Sequence, residues 1–241
     1  MKQSTETFDG AASIAFPLRG EWTALHTPAE RVPSHGTDYF GQRYAFDFAR
    51  LLGPYKKAYG KPIWRHLLGG VRAEDCYGWG ETVHAPFDGE VVAAADGWPD
   101  RERLSLLRDL LAVSLFAPDA TPEDYRPLTG NYVILEGGPG FALFGHLRRG
   151  SLRVRPGQTV AEGEPLAAVG NSGNSTSPHL HFQLMDGRDP FKARGLPCRF
   201  RSYERLRGDA WEEVFDSVPE ALEPIRVLQG DGGPRAGYGR R

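Results

Sequence analysis

Apolar and polar residues alternate along this chain in short runs, and glycine- or proline-rich breaks separate the runs. A side-chain period of two is the signature of a strand with one face on a core. Asn131 to Glu136 (NYVILE), Ala142 to Leu147 (ALFGHL), Leu152 to Val154 and Pro165 to Val169 read as strands divided by Gly137-Gly138, Pro156-Gly157 and Glu162-Gly163. Thr82 to Ala95 (TVHAPFDGEVVAAA) predicts a strand, a tight Asp88-Gly89 turn and a second strand. Ile14 to Trp22 predicts a first strand. Gln42 to Phe48 predicts another, with Tyr44, Phe46 and Phe48 on one face and Arg43, Ala45 and Asp47 on the other. Two segments depart from this rhythm. Arg101 to Phe116 spaces Leu104, Leu107, Leu111 and Leu115 as a helix does, after an Asp100 cap. Asp209 to Asp216 carries a capping-box pattern through Asp209 and Glu212 and predicts a short helix.

The expected fold is therefore mostly β, an antiparallel core with a helical insertion and a short C-terminal helix. A loose likeness between APFDGEVVAAADG and PGQTVAEGEPLAAVG hints at a duplicated β unit. With 241 residues the chain has room for one substantial core. One domain over 13–228 is expected, with insertions at about 51–79 and 99–129, a loose N-terminus at 1–12 and a flexible tail at 229–241.

Composition narrows the partners. Hydrophobic content of 40%, charged content of 25% and a formal net charge of -2 describe an ordinary globular chain without the basic bias that nucleic acid selects. Gly 30 and Pro 19 fit many turns between strands. The two cysteines, Cys76 and Cys198, form no CxxC pair, and a single disulfide between them is open. No secretory h-region and no apolar run long enough for a bilayer is visible, so the sequence reads as cytoplasmic, or as periplasmic or extracellular if export takes another route or the start is misassigned.

The candidate chemistry gathers at Asn171 to Met185, NSGNSTSPHLHFQLM. Strand alternation sets His179, His181 and Gln183 on one face and Leu180, Phe182 and Leu184 on the other, so two imidazoles share a site. Asp47, between aromatic residues, is a carboxylate that burial would oblige to pair or to bind a cation. Candidate metal ligands are His35, Asp47 and His181, with His146 and His179 left over. Imidazole and carboxylate suit zinc, and three protein ligands leave a position open for water. The Gly/Ser/Asn loop GNSGNST lacks the lysine of a phosphate loop and runs into a strand, which argues against nucleotide binding. It suits a groove wall in which Asn174, Ser175 and Thr176 meet an extended peptide.

The run from Gly130 through Met185, including GNYVILEGG and FGHLRRGSLRVRPGQTVAEGEPLAAVGNSGNSTSPHLHFQL, resembles the lysostaphin/LytM-type zinc metalloendopeptidases. YAFDF and GETVHAPFDGEVV look similar to the same family. The resemblance implies a duplicated hybrid β core, one Zn²⁺, and hydrolysis of short peptide bonds in bacterial peptidoglycan. It implies that Asp47 and His181 are zinc ligands and that His179 and His146 are catalytic. The family's first ligand usually stands four residues before the aspartate, where this chain has Arg43, a donor that cannot bind zinc. His35 in HGTDY is the expected replacement. His66, His84 and His26 are fallbacks, with His84 read as a strand or groove residue, and His26 and His66 read as surface or packing histidines. Two other classes compete: a non-cutting module that binds or regulates at cell-wall peptide, and a histidine phosphocarrier on a similar fold, which needs no zinc.

Overall fold

The computed structural model describes residues 8, 10–53, 57–62, 70–105 and 120–228. In chain order the strands are β1 (Ala12–Ile14), β2 (Gly20–His26), β3 (Phe46–Ala49), β4 (Val71–Arg72), β5 (Thr82–His84), β6 (Gly89–Ala95) and β7 (Arg103–Leu104). A single helical turn, α1 (Arg126–Thr129), leads into β8 (Asn131–Gly137), β9 (Gly140–Leu147), β10 (Thr159–Val160), β11 (Pro165–Ala168) and β12 (Leu180–Met185). The last are β13 (Gly195–Leu196), β14 (Cys198–Arg207), β15 (Ala210–Ser217) and β16 (Pro224–Val227). The mostly β reading holds. The main sheet runs β1-β14-β16-β2-β3-β12-β9-β8-β6-β10 without closing, with β15 beside β14 and β13 beside β12. Its pairs are antiparallel except β1 with β14.

The sheet is covered on both faces. Phe46, Phe48, Leu180, Phe182 and Phe200 lie on one side in a core with Trp22, Phe144 and Val133. Phe46 and Phe48 stack with centroids 5.5 Å apart. On the other side Phe40, Ile134, Leu143 and Met185 make a second apolar cluster beside the polar row of β12. Every residue of β12 is therefore buried, including His181 and Gln183, which simple alternation would leave facing water.

Several expectations change. The segment expected as a helix, Asp209 to Asp216, forms strand β15 instead; Gly208, at φ +61, turns the chain so that Ala210 to Phe215 pair residue by residue with Arg207 back to Ser202. Pairing with an existing strand satisfies the backbone of this segment, which outweighs a weak local helix preference. The helix expected from Arg101 does not begin there, because Arg103 and Leu104 pair with Arg72 and Val71. Its remainder, 106–116, lies outside the described residues, as does the tail from Gln229. Asp100 caps no helix but accepts from the backbone N–H groups of Arg149 and Asn171. β5 and β6 do not form a hairpin: β5 pairs with β11 and β6 with β8. The first expected strand is split at Pro17 into β1 and β2, and Tyr39–Tyr44 is a 3-10 turn, so β3 begins only at Phe46. Leu152 to Val154 is irregular. Part of the expected long loop at 51–79 is built, around buried Tyr59, Val71, Ala73, Cys76 and Leu104. Both thiols are free and buried, and burial pushes Cys76 and Cys198 up to about 12.

The Gly/Ser/Asn loop is fixed by close backbone approach. Gly173 has φ +70, and a Cβ there would come within 2.1 Å of the Gly130 nitrogen. Gly173→Ala should therefore cost roughly 1–3 kcal/mol or more from the left-handed conformation and the clash. A thermal melt should fall by at least about 2 °C; an unchanged midpoint would mean the loop can move aside without loss.

Candidate metal centre and active site

Asp47 is the middle of a row that crosses the sheet. On β3 it stands opposite His181 of β12 on one side and His26 of β2 on the other, and His181 in turn stands opposite Gly145 of β9. Directly opposed residues point to the same face. The next residue, His146, has φ +59, a strained value for a residue with a side chain, and sits where the β8–β9 register slips between Asn131 and Val133. Bulges of this kind re-aim side chains beside functional sites. His146 packs against His179 at 4.7 Å and His181 at 5.9 Å between ring centroids.

His35 arrives from outside the sheet. The turn at Tyr39–Tyr44 folds the preceding loop over β12, with Phe40 and Gly41 at positive φ, and the Phe40 carbonyl accepts from Gln183 Nε2 at 2.7 Å. His35 Nε2 then lies 3.0 Å from Asp47 Oδ2. Arg43, in the family's usual ligand position, turns away to bond Asp38.

The hydrogen bonds on the outer edges of the rings settle which nitrogen carries the proton. His146 Nδ1 donates to the Ser172 carbonyl at 2.8 Å, and His179 Nδ1 donates to the Ser177 carbonyl at 2.7 Å. Ser34 Oγ gives its hydrogen to the Gln42 carbonyl, so it accepts from His35 Nδ1. Gln183, oriented by Phe40, offers its Oε1 to His181 Nε2 at 2.9 Å. Each neutral imidazole consequently turns a lone pair inward. His181 Nδ1 lies 2.9 Å from Asp47 Oδ1, and His179 Nε2 lies 3.6 Å from the same oxygen. Lone pairs facing a carboxylate at 2.9 and 3.0 Å repel unless a cation sits among them, so the set fits a proton or a metal ion. Two imidazole nitrogens and a carboxylate oxygen are a zinc-type donor set.

Electrostatics agree. Burial alone would raise the Asp47 carboxyl, but the surrounding histidines, led by His179, hold it well below its usual value and keep it ionised. Burial drives His146 well below the ordinary imidazole range, aided by its neighbours His179 and His181, so it is neutral at pH 7. His181 feels the same burial penalty, but its contact with Asp47 outweighs it and the net shift is upward. That is the signature of a ring that takes a proton to sit against the carboxylate.

His35, Asp47, His146, His179 and His181 line one cavity of about 210 Å³, which Asn174 and Thr176 also border. Larger hollows of about 320 and 650 Å³ lie elsewhere, and their walls contain no imidazole. Ser175 lies beneath the cavity rather than on it: 1% exposed, its hydroxyl bonds Asn171 Oδ1 and the Ser177 carbonyl and braces the loop under His179. His84 lies on β5 in the small second sheet, and His66 is outside the described residues. His26, a fallback ligand read as a surface or packing residue, places Nδ1 2.9 Å from Asp47 Oδ2. The donor atoms of His26, His35 and Asp47 all lie within 4.8 Å of one another. Nothing in the run GEWTALH marks this role; only the strand register does.

Histidines and one carboxylate converge in a cleft of a β-rich domain, a donor arrangement suited to a metal ion. Residues 120–193, the segment carrying His146, His179 and His181, match Peptidase family M23, the same kind of enzyme that the sequence resembles. The chain is 34% identical over 68 residues to the peptidoglycan DD-endopeptidase ShyA of Vibrio cholerae, a match covering 28% of this chain and 16% of that protein. It is 46% identical over 61 residues to an uncharacterized metalloprotease of Haemophilus influenzae, covering 24% of this chain and 12% of that one. The chain thus matches less than a fifth of the length of these relatives. Among solved structures, the catalytic domain of lysostaphin from Staphylococcus simulans aligns with a TM-score of 0.35 and 16% identity, over 81% of this chain and 95% of that one.

Holding a metal depends on the groups behind the ligands. Gln183→Leu removes the acceptor that orients His181 and leaves the Phe40 carbonyl unpaired. Zinc affinity should weaken by about 10- to 100-fold, measured by competition with a chelating dye. Unchanged affinity would mean that Gln183 does not set the His181 tautomer.

Proposed function

We propose that the protein is a zinc-dependent endopeptidase that hydrolyses short peptide bonds, with bacterial peptidoglycan peptide as its substrate class. The observation that carries this reading is the set of inward lone pairs from His35, His146, His179 and His181 around one buried, ionised carboxylate. His35, Asp47 and His181 are the residues that would hold zinc. Bound zinc supplies Lewis acidity, lowering the pKa of water toward about 7 and polarising the scissile carbonyl.

The remaining steps belong to the chain. His179 donates through Nδ1 to the Ser177 carbonyl and turns Nε2 to the cavity beside Asp47, so Nε2 is the atom that takes the proton from the attacking water. The charge of Asp47 favours the imidazolium that forms. His179 then returns the proton to the departing amine. His146 is buried and neutral with Nδ1 donating to Ser172, so its Nε2 holds water by accepting a hydrogen bond and can donate only after taking a proton itself. Asn174 and Thr176 at the rim offer polar groups to an extended peptide backbone.

The test is zinc content and hydrolysis measured together on purified peptidoglycan. About one zinc per chain is expected, with release of peptide fragments that a chelator abolishes and zinc restores. Full hydrolysis by a metal-free chain would overturn the reading, and zinc binding without any cutting would move the function to peptide binding.

A further inference from the structure

Among the described residues, His26 is the imidazole at the centre to which the proposed reaction gives no role. Its position is made by a bulge. Along β2 and β3, Ala24 pairs with Phe48, yet His26 pairs with Asp47, so two steps on β2 answer one step on β3. In regular pairing the residue opposite Asp47 would be Leu25, an apolar side chain on the face of the site. The extra residue replaces it with a nitrogen donor. His26 Nδ1 then shares Asp47 Oδ2 with His35 Nε2, and the two rings lie 5.2 Å apart between centroids. The His26 side chain is 47% exposed, against 16% for His35 and 10% for His181, which places it at the mouth of the centre.

We infer that His26 is a fourth protein donor to the metal of this site, and that it closes the position that water must occupy. The inference rests on the zinc reading given above. Three imidazoles and a carboxylate fill the usual coordination number of zinc, whereas a catalytic site keeps one position open. The chain therefore has a resting arrangement with His26 in place and a working arrangement with His26 withdrawn. The exposed donor at the end of a strand is the one free to move, while His35, Asp47 and His181 are held by the loop turn, by β3 and by Gln183.

Histidine-selective nitrogen-15 NMR of the full chain, recorded before and after one equivalent of zinc, tests this directly. Three rings should take up metal, two through Nδ1 (His26 and His181) and one through Nε2 (His35), and His26→Gln should remove one of the Nδ1 signals. Zinc affinity in His26→Gln should fall about tenfold or more, and each zinc-loaded molecule of the variant should cut peptide faster, because the position is already open. Metal uptake by His35 and His181 alone, with unchanged affinity in His26→Gln, would overturn the inference and leave the zinc site standing. Slower cutting per zinc-loaded variant would overturn the resting arrangement. A wild-type chain that takes up no zinc would remove the reading beneath it as well.

Discussion

Asp47→Asn should empty the metal centre and end hydrolysis while leaving the protein folded. Asp47 is 7% exposed and touches four histidines, so every route by which a cation is held passes through its carboxylate. An amide of the same shape is neutral and cannot offer the same two anionic oxygens. Its NH₂ group can, however, donate to the inward lone pair of His181 or His35, which the carboxylate cannot do without a cation. Zinc content should drop from about one per chain to near zero, a loss of at least about 100-fold in affinity when a charged ligand is removed. The zinc-free thermal midpoint should stay level or rise, because replacing a buried charge with a hydrogen-bonding neutral group removes a desolvation cost of several kcal/mol. Stoichiometric zinc in the variant would remove Asp47 from the ligand set.

His179→Ala and His146→Ala should separate metal binding from chemistry. Neither ring is needed to hold the ion if His35, Asp47 and His181 suffice, so both variants should keep zinc. Proton transfer by a positioned side chain is typically worth about 10²- to 10⁴-fold, and each single variant should lose kcat/KM in that range. Their rings lie 4.7 Å apart over the same cavity, so the double variant should lose less than the product of the two single effects, as groups acting on one proton do. Loss of zinc from either single variant would reassign that histidine as a ligand. Retained activity in His179→Ala would transfer the role of base to His146.

The exposed strand β15 illustrates how far a local signal reaches. Asp209 and Glu212 satisfy a helix-start pattern, but the segment follows directly on the long strand β14 and a glycine at positive φ, and pairing with that strand wins. Trp211 gains an Arg226 guanidinium 4.4 Å over its ring, a contact that depends on β15 and β16 both pairing with β14. Helix propensity acts over a few tenths of a kcal/mol per residue and yields to such pairing.

What the sequence determined by itself was whatever depends on period and on fixed neighbours. The alternation in HLHFQL set His181 and Gln183 on one face and Leu180 and Phe182 in the core, because a strand's side chains alternate wherever it lies in the sheet. Arg43 could be struck from the ligands on chemistry alone, and the distance from His35 to Asp47 in sequence called for a loop. Only the tertiary structure decided that this loop is pinned by Gln183, that Ser175 lies under the cavity while Asn174 and Thr176 border it, and that His146 is aimed by a strained bulge. It also decided the place of His26. Register between strands is a long-range property, and one extra residue on β2 exchanges Leu25 for His26 beside Asp47 without leaving a mark on the local pattern.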